Sequence, residues 1–158
     1  MEGGRIEIRL ADEWDRRPLA QLFAAVAEER DGIAAEPPVD VEERATSLRL
    51  DGMLVALARD EVVGGLHVEQ SSFGFGEIGI MVAHDWRGLG VGSALVAAGI
   101  EWGREHGLHK LTMSVFPHNE AALALYRKFG FAEKGRRAKQ IRRASGELWD
   151  LIEMGLLL

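Results

Sequence analysis

The sequence predicts an α/β (α+β) fold: a mixed sheet with helices packed against it. The apolar stretch Phe75 to Val82, a helical stretch from Gly90 to His106 and a further apolar stretch, Leu108 to Phe116, make a strand-helix-strand unit. Its two strands run parallel, because the helix carries the chain back across the sheet. By contrast, Met53 to Arg59 and Val62 to Gln70 meet across Asp60-Glu61, and Phe131 to Arg143 and Leu148 to Leu157 meet across Ser145-Gly146. Such short connections make hairpins, hence antiparallel pairs. At 158 residues the chain reads as one domain, 1-158, long enough to bury well over half of its unfolded surface without disulfides.

Each element has its own local signal. Ile6, Ile8 and Leu10 alternate as in a first strand. Leu19, Leu22, Phe23 and Val26 recur at helical spacing, with Pro18 acceptable in the first turn. Asp31 to Pro38 is a loop punctuated by Gly32 and Pro37-Pro38, and Val41, Ala45 and Leu48 mark a second, weaker helix. The strand at Phe75 follows the turn Ser71-Ser72-Phe73-Gly74. The helix from Gly90 places Val91, Leu95, Ala98 and Trp102 on one face, with Gly107 as its stop. Asn119 can cap a helix whose buried face is Ala122, Leu125, Tyr126 and Phe129, and Gly130 ends it.

Composition narrows the function classes. Apolar residues make up 47% and charged residues 28%, a profile of globular rather than disordered chains. There is no cysteine, which removes thiolate nucleophiles and cysteine zinc sites and fits a reducing compartment. Met1 to Arg9 lacks a signal-like apolar core, and no run approaches the ~20 apolar residues that span a bilayer. The expectation is a cytoplasmic protein with no membrane partner. A net charge of -6 argues against a nucleic-acid partner. Arg136, Arg137, Lys139, Arg142 and Arg143 form a local exception, readable as a solvated edge hairpin or as a surface for an acidic ligand, phosphates or a second chain. His106 and His109 are separated by the helix stop Gly107, so no metal site is expected.

The strongest chemical signal lies between strand and helix, at Asp85-Trp86-Arg87-Gly88-Leu89-Gly90-Val91-Gly92-Ser93. A helix N-terminus offers unpaired N–H groups and the positive end of a dipole, which together suit phosphate. Gly90 and Gly92 remove side chains that would hold a phosphate off, and Arg87 adds a forked donor. An ATP or GTP loop would close with lysine, whereas Gly92 is followed by Ser93-Ala94. A dinucleotide fold spaces its glycines differently and places them after the first strand.

Gly79 to Gly92, ending in Arg87-Gly88-Leu89-Gly90-Val91-Gly92, resembles the acetyl-CoA motif of the GCN5-related N-acetyltransferase (GNAT) superfamily. Asn119-Glu120-Ala121-Ala122-Leu123-Ala124-Leu125-Tyr126-Arg127-Lys128-Phe129-Gly130-Phe131 is similar to that family's second signature, at the family's distance. The resemblance covers essentially the whole chain. It implies a mixed, mostly antiparallel, splayed seven-stranded sheet flanked by about four helices. It also implies that the pantetheine arm of acetyl-CoA lies between the parallel strands ending near Val82 and Phe116.

The resemblance implies an N-acetyltransferase that moves an acetyl group from acetyl-CoA to a primary amine by direct attack. It places the cofactor against Val82, Ala83, His84, Arg87, Gly88, Leu89, Gly90, Val91, Gly92, Ser93, Asn119 and Tyr126. The Val82 N–H is the candidate oxyanion donor, and the Tyr126 hydroxyl the candidate acid for the leaving thiolate. Helical spacing alone reads Tyr126 as a core aromatic. Glu77 is the leading candidate base, with Glu69, His67 and His118 behind it. Arg127 and Lys128 are candidates for the CoA 3′-phosphate. The branch that acetylates ribosomal-protein N-termini carries a glutamate where Ser114 stands here. The loop from Glu28 to Asp40 and the last hairpin frame the acceptor side, where Glu28, Glu29, Asp31 and Glu36 either attract an amine cation or form a solvated loop. The acceptor is a small-molecule amine or a protein amine. Family members often dimerise, so the resemblance admits a homodimer. A non-catalytic acyl-CoA-binding sensor or interaction module is the alternative: it would keep the glycine turn and need neither Tyr126 nor a base.

Overall fold

The computed structural model describes residues 5–158; Met1 to Gly4, part of the stretch tested for a signal-like core, lie outside the described residues. The elements are β1 (Ile6–Leu10), α1 (Arg16–Glu28), α2 (Val41–Ser47), β2 (Met53–Ala58), β3 (Glu61–Gln70), β4 (Phe75–Val82), α3 (Val91–Glu105), β5 (Lys110–Val115), α4 (Glu120–Lys128), β6 (Ala132–Arg142) and β7 (Leu148–Leu157). Two short 3₁₀ turns, Glu13–Asp15 and His84–Trp86, had no signal in the apolar pattern. The first follows from local hydrogen bonding: the Asp12 carboxylate accepts from the Trp14 amide, and the Asp15 carboxylate accepts from the Asp12 amide.

The strands form one seven-stranded sheet in the order β1-β2-β3-β4-β5-β7-β6. All neighbours are antiparallel except β4 and β5, as the strand-helix-strand unit requires. The closing hairpin enters the sheet by its second strand. β7 carries buried Ile152 and Met154 and pairs with β5, leaving the charged, exposed β6 at the edge, where charge discourages pairing with other chains.

Both sheet faces are covered at the β2 end, which is why Met53 to Ala58 is apolar without alternation and buried throughout. On the back face, Leu54, Ala56, Leu66, Val68 and Ile78 pack with Val91, Leu95, Val96 and Ile100 of α3. On the front face, Met53, Val55 and Leu57 pack with Leu19 of α1. α3 approaches the sheet closely because it presents glycine: a Cβ on Gly99 would stand 2.9 Å from Leu66 Cδ2.

The parallel pairing of β4 with β5 is short. Phe75, Gly76 and Glu77 align with Lys110, Leu111 and Thr112, and the pairing stops there. β4 continues alongside β3 to Val82, and β5 alongside β7 to Val115. The sheet therefore splits into a V whose vertex is the Glu77–Thr112 pair.

At the far end, Arg9 of β1 binds both oxygens of the buried Asp15 carboxylate, at 2.7 and 3.1 Å. Burial alone would raise this carboxyl, but the Arg9 and Asp12 donors outweigh it and hold it below the usual aspartate range. A depressed carboxyl stabilises the fold fully above the ordinary value of about 4, and that contribution is lost as pH falls through the lower folded value. Asp15→Asn should therefore cost about 1–3 kcal/mol at pH 7 in urea unfolding, with the difference from the parent shrinking toward pH 2. An equal cost at both pH values would contradict this assignment.

Candidate active site

Main-chain geometry makes the gap between β4 and β5 chemically active. Along an antiparallel ladder, residues alternate between bonding the neighbour and facing away from it. The Ala83 amide donates to the Val63 carbonyl at 2.8 Å, so Met81 and Gly79 share its side of β4, and the peptide groups of Ile80 and Val82 point into the gap. On the other wall, the Leu158 amide donates to the His109 carbonyl, and the same alternation turns the Ser114 peptide groups into the gap. Two strand edges thus face each other without pairing to one another; of these groups the Val82 carbonyl accepts from Arg87 Nε.

The gap widens into two hollows of about 360 and about 240 Å³, which share Ile80, Asn119, Ala122 and Tyr126 as walls. The larger runs along Ile80, Met81 and Val82 to Gly88, Gly90, Gly92 and Ser93. The smaller lies between Ile78–Ile80 and Met113–Phe116, closed by Gly32, Ile33 and Ala34.

At the end of the larger hollow, Gly88 and Gly90 have φ values of 72° and 90°, a left-handed conformation that glycine adopts without strain. Gly90 is the N-cap of α3 and supplies no capping side chain, so the first-turn N–H groups are available to an anion. Gly92 lines the larger hollow and also has a packing role. A Cβ there would stand 3.0 Å from Leu125 Cδ2, so Gly92 lets α3 and α4 pack together. Lys128 of α4 reaches the same turn, with Nζ 3.4 Å from Ser93 Oγ.

Tyr126 is 6% exposed, packs edge-on to Phe131 and lines both hollows. Burial pushes its hydroxyl up to about 12, so it stays protonated throughout the neutral range. Asn119 caps α4, accepting from the Ala122 amide at 3.2 Å, and also lines both hollows.

The structure brings Val82, Arg87, Gly88, Gly90, Gly92, Ser93, Asn119 and Tyr126 together around the gap. Ala83, His84 and Leu89 are not among the lining residues; Val91 is fully buried in the core, and His84 pairs with Asp85 at the surface. Glu77 lies outside the hollows, exposed on the front face at the vertex of the V, between its register partners Glu69 and Thr112. Glu69 pairs with Arg49 at 3.5 Å, and His67 contacts the Asp51 carbonyl. His118 stands 2.9 Å from Asp31 and stacks on Phe116.

The charges of the acidic loop and of the basic hairpin are largely paired, and the two segments meet at Glu36. Glu29 binds Arg87, Asp31 binds His118, and Glu36 accepts from the Ala144 amide and lies 3.7 Å from both Arg30 and Arg143. Arg136 pairs with Asp150, and Arg137 with Glu153. Arg143 is 4% exposed; it donates to the carbonyls of Arg30, Ile33 and Ala34 and lies over the Trp149 ring at 4.1 Å. It holds the loop that closes the smaller hollow, a role that a basic run in the sequence does not reveal. Ile80, Ala122 and Ile33 were also not singled out as lining residues, because their apolar character marks them only as core.

Comparison with known proteins agrees with this geometry. The model of the acetyltransferase (GNAT) family matches residues 14–131. A mycothiol acetyltransferase of Paenarthrobacter aurescens is 39% identical over 88 residues, covering 51% of this chain and 27% of that protein. The chain spans between 26% and 32% of the length of the first curated relatives it matches. Among solved structures, a ribosomal-protein-alanine N-acetyltransferase from Brucella melitensis is 32% identical with a TM-score of 0.87, covering 96% of this chain and 99% of that one. A GNAT-superfamily phosphinothricin acetyltransferase from Sinorhizobium meliloti, in complex with acetyl-CoA, shares the fold with a TM-score of 0.85 at 22% identity, covering 97% of this chain and 88% of that one. The split sheet, the glycine turn and the family match together place the chain: it belongs to the GNAT family of acetyltransferases.

Proposed function

We propose that this chain transfers an acetyl group from acetyl-CoA to a primary amine by direct attack in the gap between β4 and β5. The observation that carries this reading is the pair of strand edges facing each other across the gap, with the α3 N-terminus at one end and the Tyr126 hydroxyl beside it. Unpaired main-chain groups away from water need partners, and an extended arm with amide groups supplies them. The orphan N–H groups of the Gly88–Ser93 turn suit a diphosphate, with Lys128 beside them.

When bound, acetyl-CoA supplies an activated acyl carbon. The Val82 N–H is the donor for the oxygen on which charge develops, a contribution typically worth about 3 kcal/mol. The Tyr126 hydroxyl gives its proton to the departing sulfur; its raised pKa keeps that proton in place until it is needed. Glu77, at the vertex on the open front face, takes the amine's proton, directly or through water. Asn119 fixes the start of α4 and thereby the position of Tyr126. The 32% identical Brucella melitensis structure is that of a ribosomal-protein-alanine N-acetyltransferase, which supports an amine acceptor here.

The direct test is release of free CoA thiol from acetyl-CoA with a panel of primary amines. Turnover with at least one is expected; CoA binding without turnover on any would favour a non-catalytic binding module. Tyr126→Phe should lower kcat by ~10²–10⁴-fold at saturating acetyl-CoA, and an unchanged kcat would remove the tyrosine from the reaction. Glu77→Gln should flatten the acid limb of the pH profile of kcat/KM. A profile unaltered in amplitude and midpoint would assign the base elsewhere.

A further inference from the structure

Arg87, the first residue of the glycine turn, is turned back into the protein. Its Nη1 and Nη2 donate to the two oxygens of Glu29 at 2.6 and 2.8 Å, and its Nε donates to the Val82 carbonyl at 3.0 Å. Glu29 follows the last turn of α1, where its amide bonds back to the Val26 carbonyl. The arginine is the main cause of a Glu29 carboxyl held below the usual glutamate range. The turn thereby devotes its guanidinium to the end of β4 and leaves the phosphate site to main-chain donors and Lys128.

The peptide that follows Val82 is gripped on both edges. Its carbonyl accepts from Arg87, and its N–H, that of Ala83, donates to the Val63 carbonyl at 2.8 Å. The peptide that precedes Val82 is held on one edge only, since Met81 belongs to the β3 side of the ladder and the Val82 N–H faces the gap. Rotation about the Val82 Cα is therefore limited chiefly by the grip on the following peptide. Bidentate carboxylate–guanidinium geometry fixes a direction as well as a charge, so Glu29 sets the plane in which Arg87 Nε meets Val82.

We propose that Glu29 is a positioning residue for acetyl transfer: through Arg87 it fixes the Val82 peptide, and so aims the Val82 N–H at the reacting carbonyl. This rests on the role for Val82 given under Proposed function. Glu29 also lines the larger hollow, but the role proposed for it is exerted through two hydrogen-bonded steps, Glu29 to Arg87 and Arg87 to the Val82 carbonyl. Donors in such sites work because they are aimed in advance, so a loosened Val82 N–H loses part of the ~10²–10³-fold that loss of an oxyanion donor costs.

The test uses Glu29→Gln, Arg87→Lys and the double variant in the full chain. Glu29→Gln is expected to lower kcat by about tenfold, with the Kd for CoA and the KM for an accepted amine within about threefold of the parent. The double variant should be no worse than Arg87→Lys by more than about threefold, because both changes break one relay. In CoA-saturated protein, the Val82 amide NMR resonance should move in each single variant while that of Gly65 stays. A loss confined to the amine KM would make Glu29 an acceptor contact and overturn the proposal. So would multiplicative losses in the double variant, or a Val82 resonance left in place. The NMR readout needs no turnover, so its failure is distinct from a failure to acetylate.

Discussion

The early end of the β4–β5 pairing is the constraint on which the rest of the molecule depends. After Glu77 and Thr112 each strand keeps its outer neighbour and loses its inner one. A sheet that stops pairing in its middle exposes peptide groups that would otherwise be satisfied. Everything around the gap answers that exposure. α4 places Ala122, Leu125 and Tyr126 along it, α3 aims its N-terminus at one end, and the loop from Glu29 to Glu36 closes the other side. The cofactor chemistry expected of a GNAT acetyltransferase thus follows from main-chain geometry, with few charged side chains directed into the gap.

The loop is held by polar ties at three places. Glu29 fastens its start to the glycine turn, His118 meets Asp31 near its middle, and Arg143 with the Ala144 amide holds the stretch from Arg30 to Glu36 against the β6–β7 hairpin. Arg143 is the most committed of these, buried against Trp149 and bonded to three loop carbonyls. Removing this buried donor would break three part-buried hydrogen bonds to the loop at once. The wall of the smaller hollow at Ile33 and Ala34 therefore owes its shape to a residue on the opposite hairpin.

Much of this was legible in the sequence, and the limit has a physical basis. The β4 strand, the Asn119 cap, the Gly130 stop and the glycine turn all declare themselves through local rules of periodicity, capping and left-handed glycine. The features that were not legible depend on contacts far apart in the chain. Nothing local joins Arg87 to Glu29, which lies 58 residues away, or distinguishes buried Arg143 from its exposed neighbours. Nor does anything local show that the missing Cβ of Gly92 also makes room for Leu125.

Glu77 shows the same division. Its register beside Thr112 puts it where the sheet opens, yet its carboxylate is on the exposed front face and not within the hollows. Under the proposed function, the cofactor side of the reaction is built from deep, packed parts, and the acceptor side from an open surface. The most direct test of this account is a map of backbone amide NMR shifts on adding acetyl-CoA to the protein. The account predicts the largest changes at Gly88, Gly90 to Ser93, Ile80 and Val82, the donors of the turn and of the β4 edge. Changes centred on β6 or on the front face at Glu69 and Glu77, with those amides unmoved, would contradict it.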